Sequence, residues 1–145
     1  LVVDNPDVKY FFGKVTMYLD YPKTGRDLIL SFIDHFFSDK DNLVVPKSPL
    51  KLHGDTTDFI DEISPLKYEG AYKILTRKLK EINCSLPPLI AAYMNLSSTM
   101  KSFGTALNKK FGEVEETGIL ISISDIFEKK KERHINSYIS RKNGD

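Results

Sequence analysis

The sequence has only one cysteine, no tryptophan, three histidines and three methionines among 145 residues. Because Cys84 has no partner, an internal disulfide is excluded, which is typical of a reducing compartment such as the cytoplasm. His35, His53 and His134 are widely separated in the sequence, so the closely spaced ligand pairs of a zinc site are missing. We therefore expect no metal site and a cytoplasmic location.

Several other signals are absent. There is no apolar run of the roughly 20 residues that a membrane span needs, and no basic start followed by an apolar run as in a signal peptide. There is no glycine-rich phosphate loop and no nucleophile elbow. The formal net charge is +1, which provides no overall field for binding nucleic acid. We expect any membrane contact to be peripheral.

The charge is unevenly distributed, since the first 66 residues are acidic and the remainder is basic. Lys129, Lys130 and Lys131 are the densest part of the basic half. This pattern favours either an acidic partner, such as a carrier protein or an anionic membrane surface, or a solvated helix with Glu–Lys pairs. His134 belongs to the same helix face, where a solvated role is expected.

The chain contains enough apolar residues for the core of one domain, with 41% hydrophobic and 11% aromatic residues. Periodicity and turn residues predict alternating helices and strands. The expected elements in chain order are a buried strand at Tyr10–Tyr18, a helix from Thr24 to Phe37, a long loop over 43–66, a helix at Tyr68–Ile82, a short helix after Pro87, strands near Met100–Ala106 and Thr117–Ser124, and a final helix from Asp125.

Four details of these elements can be tested against a structure. Thr24 and Asp27 have the spacing of a capping box, as do Asp125 and Glu128. Gly13, inside the first strand, indicates either a bulge or a close approach of another group to the backbone. Three isoleucines that alternate in the last strand are expected to share one buried face. The prolines and polar residues of 43–66 are typical of a surface loop, and a loop of that length suggests a lid.

The fold class predicted from this order is α+β. We expect a three-stranded, mainly antiparallel sheet packed with about four helices, in the spatial order first, last, middle strand. Residues 1–145 form one domain at most, or part of one. The sequence begins with Leu-Val-Val, which is typical of a strand already under way, so a fragment is expected.

The carboxylates Glu113, Glu115 and Glu116 precede the last strand. Like charges that lie close together raise a carboxyl pKa, so this cluster could supply a general base. The alternative is an exposed acidic turn with no catalytic role.

Three tyrosines could donate a proton to a leaving thiolate: Tyr10, Tyr18 and Tyr93. A buried tyrosine with a satisfied hydroxyl group is the structural alternative for each. His53 lies in the long loop, where either a functional or a purely structural role is open.

Three segments in order carry a resemblance to a known family. They are Tyr10-Phe11-Phe12-Gly13 through Thr16, Pro88-Leu89-Ile90 with Tyr93, and a hairpin that ends in Thr117–Ser124. Together they resemble the C-terminal part of GNAT-fold proteins often labelled hemolysins, over about residues 6–139. This family includes the N-acyltransferases that make the lyso forms of ornithine and glycine lipids, and the chain is most similar to its Bacteroidetes-type members.

The resemblance implies a reaction. A fatty acyl group, carried as a thioester on acyl carrier protein or coenzyme A, passes to the amine of a small amino acid such as glycine or ornithine. The donor is a co-substrate, and no cofactor is bound permanently. The implied donor site lies along the first strand and includes Phe12, Gly13, Lys14, Val15 and Tyr93. From the carboxylates and tyrosines named above, we predict Glu116 and Tyr18 as the catalytic residues of this reaction.

The resemblance also implies that half of the fold is absent. The strand that would face Tyr10–Tyr18 and the phosphate-binding helix would both precede Leu1. We therefore expect this chain alone to be inactive and to expose a sheet edge that favours homo-oligomers. The alternatives are a non-catalytic interaction or oligomerisation module and, less in keeping with the sequence, a cytolysin.

Overall fold

The computed structural model describes residues 4–133. Within these residues, three strands, five α-helices and one 3-10 turn follow one another. The elements are β1 (Tyr10–Met17), α1 (Lys23–Phe37), α2 (Thr57–Ile63), α3 (Tyr68–Glu81), α4 (Pro88–Met94), β2 (Lys101–Asn108), β3 (Val114–Ser122), the 3-10 turn (Ile123–Asp125) and α5 (Glu128–Lys131).

The strands form one antiparallel sheet in the order β1-β3-β2. Both the α+β class and the predicted strand order are confirmed. β3 occupies the centre because its alternating residues bury one face: Ile119 and Ile121 are buried, and Ile123 packs against them from the turn that follows. The predicted isoleucine face is therefore confirmed as well.

One face of the sheet is covered by helices, and the core lies between the two layers. Apolar residues at helical spacing, including Ile29, Phe32 and Ile33 of α1 and Leu75 and Leu79 of α3, are buried there. On β1, Val15 and Met17 point into the same core. We call this side the helix face and the opposite side of the sheet the open face.

The prediction of a continuous loop over 43–66 is wrong in its second half, where α2 forms. Phe59 and Ile63, four residues apart, are both buried and give this short helix its apolar side. Residues 38–56 lack regular structure but run along β2, with isolated bridges from Ser38 to Ser102 and from Pro49 to Ala106.

Both capping-box predictions are wrong. α1 begins after Pro22 with no side-chain cap, because the Asp27 carboxylate turns inward to bind Arg26 and backbone N–H groups. Asp125 accepts hydrogen bonds from Thr99 and Ser124, and Phe127 takes the N-cap position of α5. The predicted continuation of this last helix beyond residue 133, including His134, lies outside the described residues.

The expectation that β1 is a buried strand is wrong for one of its faces, since Tyr10 and Phe12 are 57% and 62% exposed. β1 and β3 pair residue by residue through Gly13, so Gly13 does not form a bulge. The sheet irregularity lies instead between Ser102 and Thr105 of β2, where Gly104 has a φ of +83°. In residues 4–133, no helix has the length and apolar character needed to span a bilayer.

Candidate active site

The outer edge of β1 carries the candidate site. The Ile123 N–H donates to the Lys9 carbonyl over 2.9 Å, directly before the ladder that starts with Tyr10 opposite Ser122. Hydrogen-bonded and non-hydrogen-bonded pairs alternate in an antiparallel ladder. The N–H and C=O groups of Phe12, Lys14 and Thr16 therefore point away from β3, and none of them forms a backbone bond to another described strand.

Gly13 leaves space beside this edge. A Cβ atom built on Gly13 meets no heavy atom within 4 Å. By strand alternation this position faces the same side as Val15, toward the helices. The unbroken pairing of β1 with β3 excludes a bulge at Gly13. The other predicted role, a close approach of another group to the backbone, stays a prediction.

On the open face, a charged cluster lies next to the edge. The Lys14 ammonium donates to Glu116 Oε1 over 2.7 Å, and the Asn108 side-chain amide donates to Glu116 Oε2 over 3.1 Å. The bond from Lys14 is the largest influence on Glu116 and, together with that from Asn108, lowers the pKa of its carboxyl group. Glu116 is therefore ionised and paired with Lys14. In this state it is a weak base, but it can bind a cation.

The three carboxylates expected to cluster before β3 are dispersed. Glu113 lies in the exposed turn with a φ of +53°, whereas Glu115 and Glu116 belong to β3. Successive strand residues face opposite sides, so Glu115 is buried on the helix face and Glu116 lies on the open face. The alternative of a merely exposed acidic turn holds only for Glu113.

The remaining predicted site residues occupy different places. Tyr18 follows β1 directly and is 69% exposed, so its hydroxyl group is accessible from solvent. Val15 and Tyr93 lie on the helix face, where both line a cavity of about 10 Å³, room for about one water molecule. The sheet separates Tyr93 from Phe12 and Lys14, and its role in donor binding stays a prediction.

A buried ionic network was missed by the sequence analysis. The Arg26 guanidinium donates to Asp27 Oδ1 over 2.7 and 2.8 Å and to Glu115 Oε1 over 2.6 Å. Burial opposes the charge on Arg26, but the bonds from both carboxylates outweigh it and raise the pKa of Arg26. No local pattern could have revealed this network, because Glu115 lies 89 positions from Arg26.

The network also anchors the segment before α2. Asp27 Oδ2 accepts the backbone N–H groups of His53 and Gly54 over 2.7 and 2.8 Å. His53 thus takes part through its backbone, a role that the sequence left open. Residues 4–133 contain no group of three His, Cys, Asp or Glu side chains placed to hold a metal ion.

Comparison with known proteins gives two close matches. The chain is 46% identical over 141 residues to a glycine N(alpha)-acyltransferase of Phocaeicola vulgatus, covering 97% of this chain and 43% of that protein. It is 47% identical over 139 residues to a glycine N(alpha)-acyltransferase of Bacteroides thetaiotaomicron, covering 96% of this chain and 41% of that protein. No family model and no solved structure matches the chain.

The chain thus spans less than half the length of the curated relatives it matches. Their names support the acyltransferase class that the sequence motifs predicted, for a protein of which this chain would be a part.

Proposed function

We propose that this chain forms one wall of the donor site of an N-acyltransferase that moves a fatty acyl group from a thioester to the amine of glycine. The observation that carries the proposal is the outer edge of β1, where Phe12 and Lys14 present backbone groups beside the open space at Gly13. The similarity to two proteins named glycine N(alpha)-acyltransferase supports the same class of reaction.

The donor would lie along this edge. The amides of a pantetheine arm can pair with the outward N–H and C=O groups of Phe12 and Lys14, as an added strand would. Gly13 lets the arm approach because no Cβ projects from it. An outward N–H group near the thioester carbonyl would stabilise the negative charge that develops on its oxygen.

The acceptor would meet Lys14 and Glu116. Glycine is a zwitterion, and its carboxylate and ammonium groups match the charges of this ion pair, in which Lys14 is exposed and Glu116 is partly buried. A carboxylate that binds Lys14 weakens the bond that lowers the pKa of Glu116, so Glu116 gains proton affinity as the acceptor arrives.

The proton transfers then follow in order. Glu116 takes a proton from the ammonium and releases it to solvent, and the neutral amine attacks the thioester carbon. As the carbon–sulfur bond breaks, Tyr18 protonates the thiolate that leaves and regains a proton from the attacking nitrogen, which becomes the neutral amide.

The facing wall would come from a longer protein. We propose that a parallel strand and a phosphate-binding helix precede Leu1 and complete a GNAT fold, of which residues 1–145 are the C-terminal part. The two relatives are more than twice as long as the segment they share with this chain, which supports a longer protein. The donor would be acyl carrier protein, with coenzyme A as the alternative carrier.

The test is transfer by the longer protein. Hexadecanoyl thioesters of acyl carrier protein and of coenzyme A are each incubated with glycine or ornithine, and products are identified by mass spectrometry. We expect N-hexadecanoylglycine, formed faster from acyl carrier protein. If no amino acid yields an N-acyl product with either donor, the proposal is wrong.

A matched pair of lysines tests the acceptor site. Lys14→Ala should raise the glycine KM because the acceptor carboxylate loses its partner. Lys78→Ala removes a lysine that also pairs with a glutamate, Glu62 at 2.8 Å, far from β1. Lys78→Ala should leave the KM unchanged, and equal effects of the two variants would argue against the assigned role of Lys14.

The open edge also favours a second candidate, a non-catalytic module that binds another chain by strand addition. Under that function the longer protein would yield no N-acyl product, but it would lose its partner when β1 is blocked. The transfer assay separates the two candidates.

A further inference from the structure

Three cavities formed by residues 4–133 could hold part of a ligand. The larger cavity, about 410 Å³, lies between α1, β2 and residues 49–60. A second, about 210 Å³, lies between the end of α1, residues 38–46 and Gly104 of β2. The third, about 200 Å³, is a groove on the open face that begins at Phe12 and Lys14. Of these three, the groove alone is lined by β1 residues, and it is therefore the one continuous with the proposed donor edge.

The groove crosses the whole sheet, from the edge of β1 to the segment that covers β2. It is lined by residues of all three strands and by Val44 and Pro46 of the covering segment.

Gly118 lies at the centre of the crossing. β1 and β2 lie on either side of β3, about 10 Å apart, yet the rings of Phe12 and Phe103 approach to 5.9 Å between centroids. They meet above β3 beside Gly118, which lies opposite Lys14. A Cβ on Gly118 would contact Phe103 at 3.5 Å, an ordinary distance, so an alanine there would narrow the groove without displacing Phe103.

The charges of the groove are confined to one place. Lys14 and Glu116 are its charged lining residues within the described chain, and they pair with each other. The remaining lining groups are aromatic, aliphatic or glycine, so the groove matches an amphiphile with a charged end and an apolar tail. A fatty acyl group being transferred to a zwitterionic amino acid has this form.

We propose that this groove binds the fatty acyl tail, with the reacting end at Lys14 and Glu116 and the tail crossing Gly118 toward Pro46 and Val44. The inference rests on the proposed function and extends it, because it assigns the choice of acyl chain length to Ala106, Gly118 and Phe103. Filling the groove should then discriminate against long chains while sparing short ones.

Photo-crosslinking tests the location independently of turnover. The longer protein is irradiated with N-hexadecanoylglycine that carries a diazirine near the end of its chain, and labelled peptides are identified by mass spectrometry. We expect label on Val44, Pro46, Phe103 or Ala106, which line the groove and not the larger cavity. Label on Leu30–His35 or Leu50–Ile60 would place the tail in the larger cavity and overturn the inference, as would label outside residues 4–133.

A matched pair of variants tests the groove by size. Ala106→Leu adds bulk inside the groove, whereas Ala92→Leu adds the same bulk at an exposed position of α4. Ala106→Leu should lower labelling by the long-chain probe about tenfold, and Ala92→Leu should not change it. Equal labelling of both variants would contradict the inference.

Transfer rates give a second measurement. In a protein that transfers acyl groups, Ala106→Leu should reduce the rate with hexadecanoyl donor about tenfold relative to butanoyl donor. Gly118→Ala should shift the preference in the same direction by less. If the enzyme is active but its chain-length profile is unchanged, the acyl tail does not bind in the groove, and the proposed function still holds. If the probe labels the groove but no acyl group is transferred, the proposed function is wrong and the groove assignment still holds.

Discussion

The two edges of the sheet differ in whether another segment covers them and bonds to their backbone groups. Along β2, residues 38–50 act as a cover: the Asp39 N–H donates to the Ser102 carbonyl over 2.9 Å, and the Leu50 N–H donates to the Thr105 carbonyl over 2.7 Å. Lys101 holds this cover by pairing with Asp39 at 2.9 Å and with Asp41. The bulge at Gly104 further interrupts the strand, as is common at protected edges.

Along β1 the arrangement is the reverse. The backbone groups of Phe12, Lys14 and Thr16 face outward with no described strand to pair with, and Tyr10 and Phe12 expose their rings. An uncovered, aromatic edge strand is an aggregation hazard unless something binds it. The difference between the edges supports the proposal that the edge of β1 binds another group, whereas backbone groups at the edge of β2 are already paired with residues 38–50.

The largest expected effect concerns the buried ionic network of Arg26, Asp27 and Glu115. Arg26→Met should lower the free energy of unfolding by about 3–5 kcal/mol, because Asp27 and Glu115 would be left buried without a counter-charge. Arg77→Met removes an exposed pair with Glu62 and should cost less than about 1 kcal/mol. Urea unfolding measures the loss of free energy of unfolding in both variants. Similar losses would show that the buried network stabilises the fold no more than the exposed pair does.

Gly13→Val tests the open edge directly. The new side chain would fill the space that Gly13 leaves, so transfer by the longer protein should fall about a hundredfold through misplacement of the donor. The melting temperature should hardly change, because a valine is favourable in a strand and a Cβ at this position meets no described heavy atom within 4 Å. Unchanged transfer would mean that the donor does not approach β1 at Gly13.

Proline substitutions test which backbone groups face outward. Thr16→Pro removes an outward N–H and should hardly lower the free energy of unfolding. Val15→Pro removes an N–H that bonds to β3 and should lower it by at least about 2 kcal/mol.

The open edge also predicts association between copies of the chain. We expect the 145-residue chain to self-associate through β1 in sedimentation, and Thr16→Pro to reduce this association. Equal destabilisation by the two prolines, or a strictly monomeric wild type, would contradict this account of the edge.

The smallest effect is a pH dependence at the open edge. The lowered pKa of Glu116 means that its bond with Lys14 stabilises the fold above the unfolded-state pKa, about 4.3, and that this contribution is lost as the pH falls through the folded-state pKa. The stability difference between wild type and Lys14→Met should therefore be constant near neutral pH and disappear in acid. A difference that persists at pH 2–3 would argue against the ion pair as its source.

Much of the fold was predictable because its signals are local. The alternating isoleucines of β3 and the apolar stripes of α1 and α3 identify these elements without reference to the rest of the chain. α2 was missed because a seven-residue helix shows only two buried apolar positions, Phe59 and Ile63. The two capping boxes failed because Asp27 and Asp125 have stronger partners elsewhere in the fold.

The candidate site was predictable only in part. The strand and Gly13 follow from the sequence, and the resemblance assigned them to a donor site. Glu115 and Glu116 were grouped by adjacency, yet the pleat of β3 places them on opposite faces with different partners. Tyr93 and Lys14 were grouped by family motif, yet the sheet lies between them.

The sequence by itself determined the α+β class and the main helices and strands, because hydrophobic periodicity acts over a few neighbouring residues. The strand order was predicted from the family resemblance and the apolar composition of β3. Only the tertiary structure decided which edge is covered, which carboxylate pairs with Lys14 on the open face and which is buried with Arg26. These features depend on contacts between residues more than 50 positions apart, and no local pattern encodes them. The same long-range packing brings Phe12 and Phe103 together above Gly118, where we propose that the acyl tail lies.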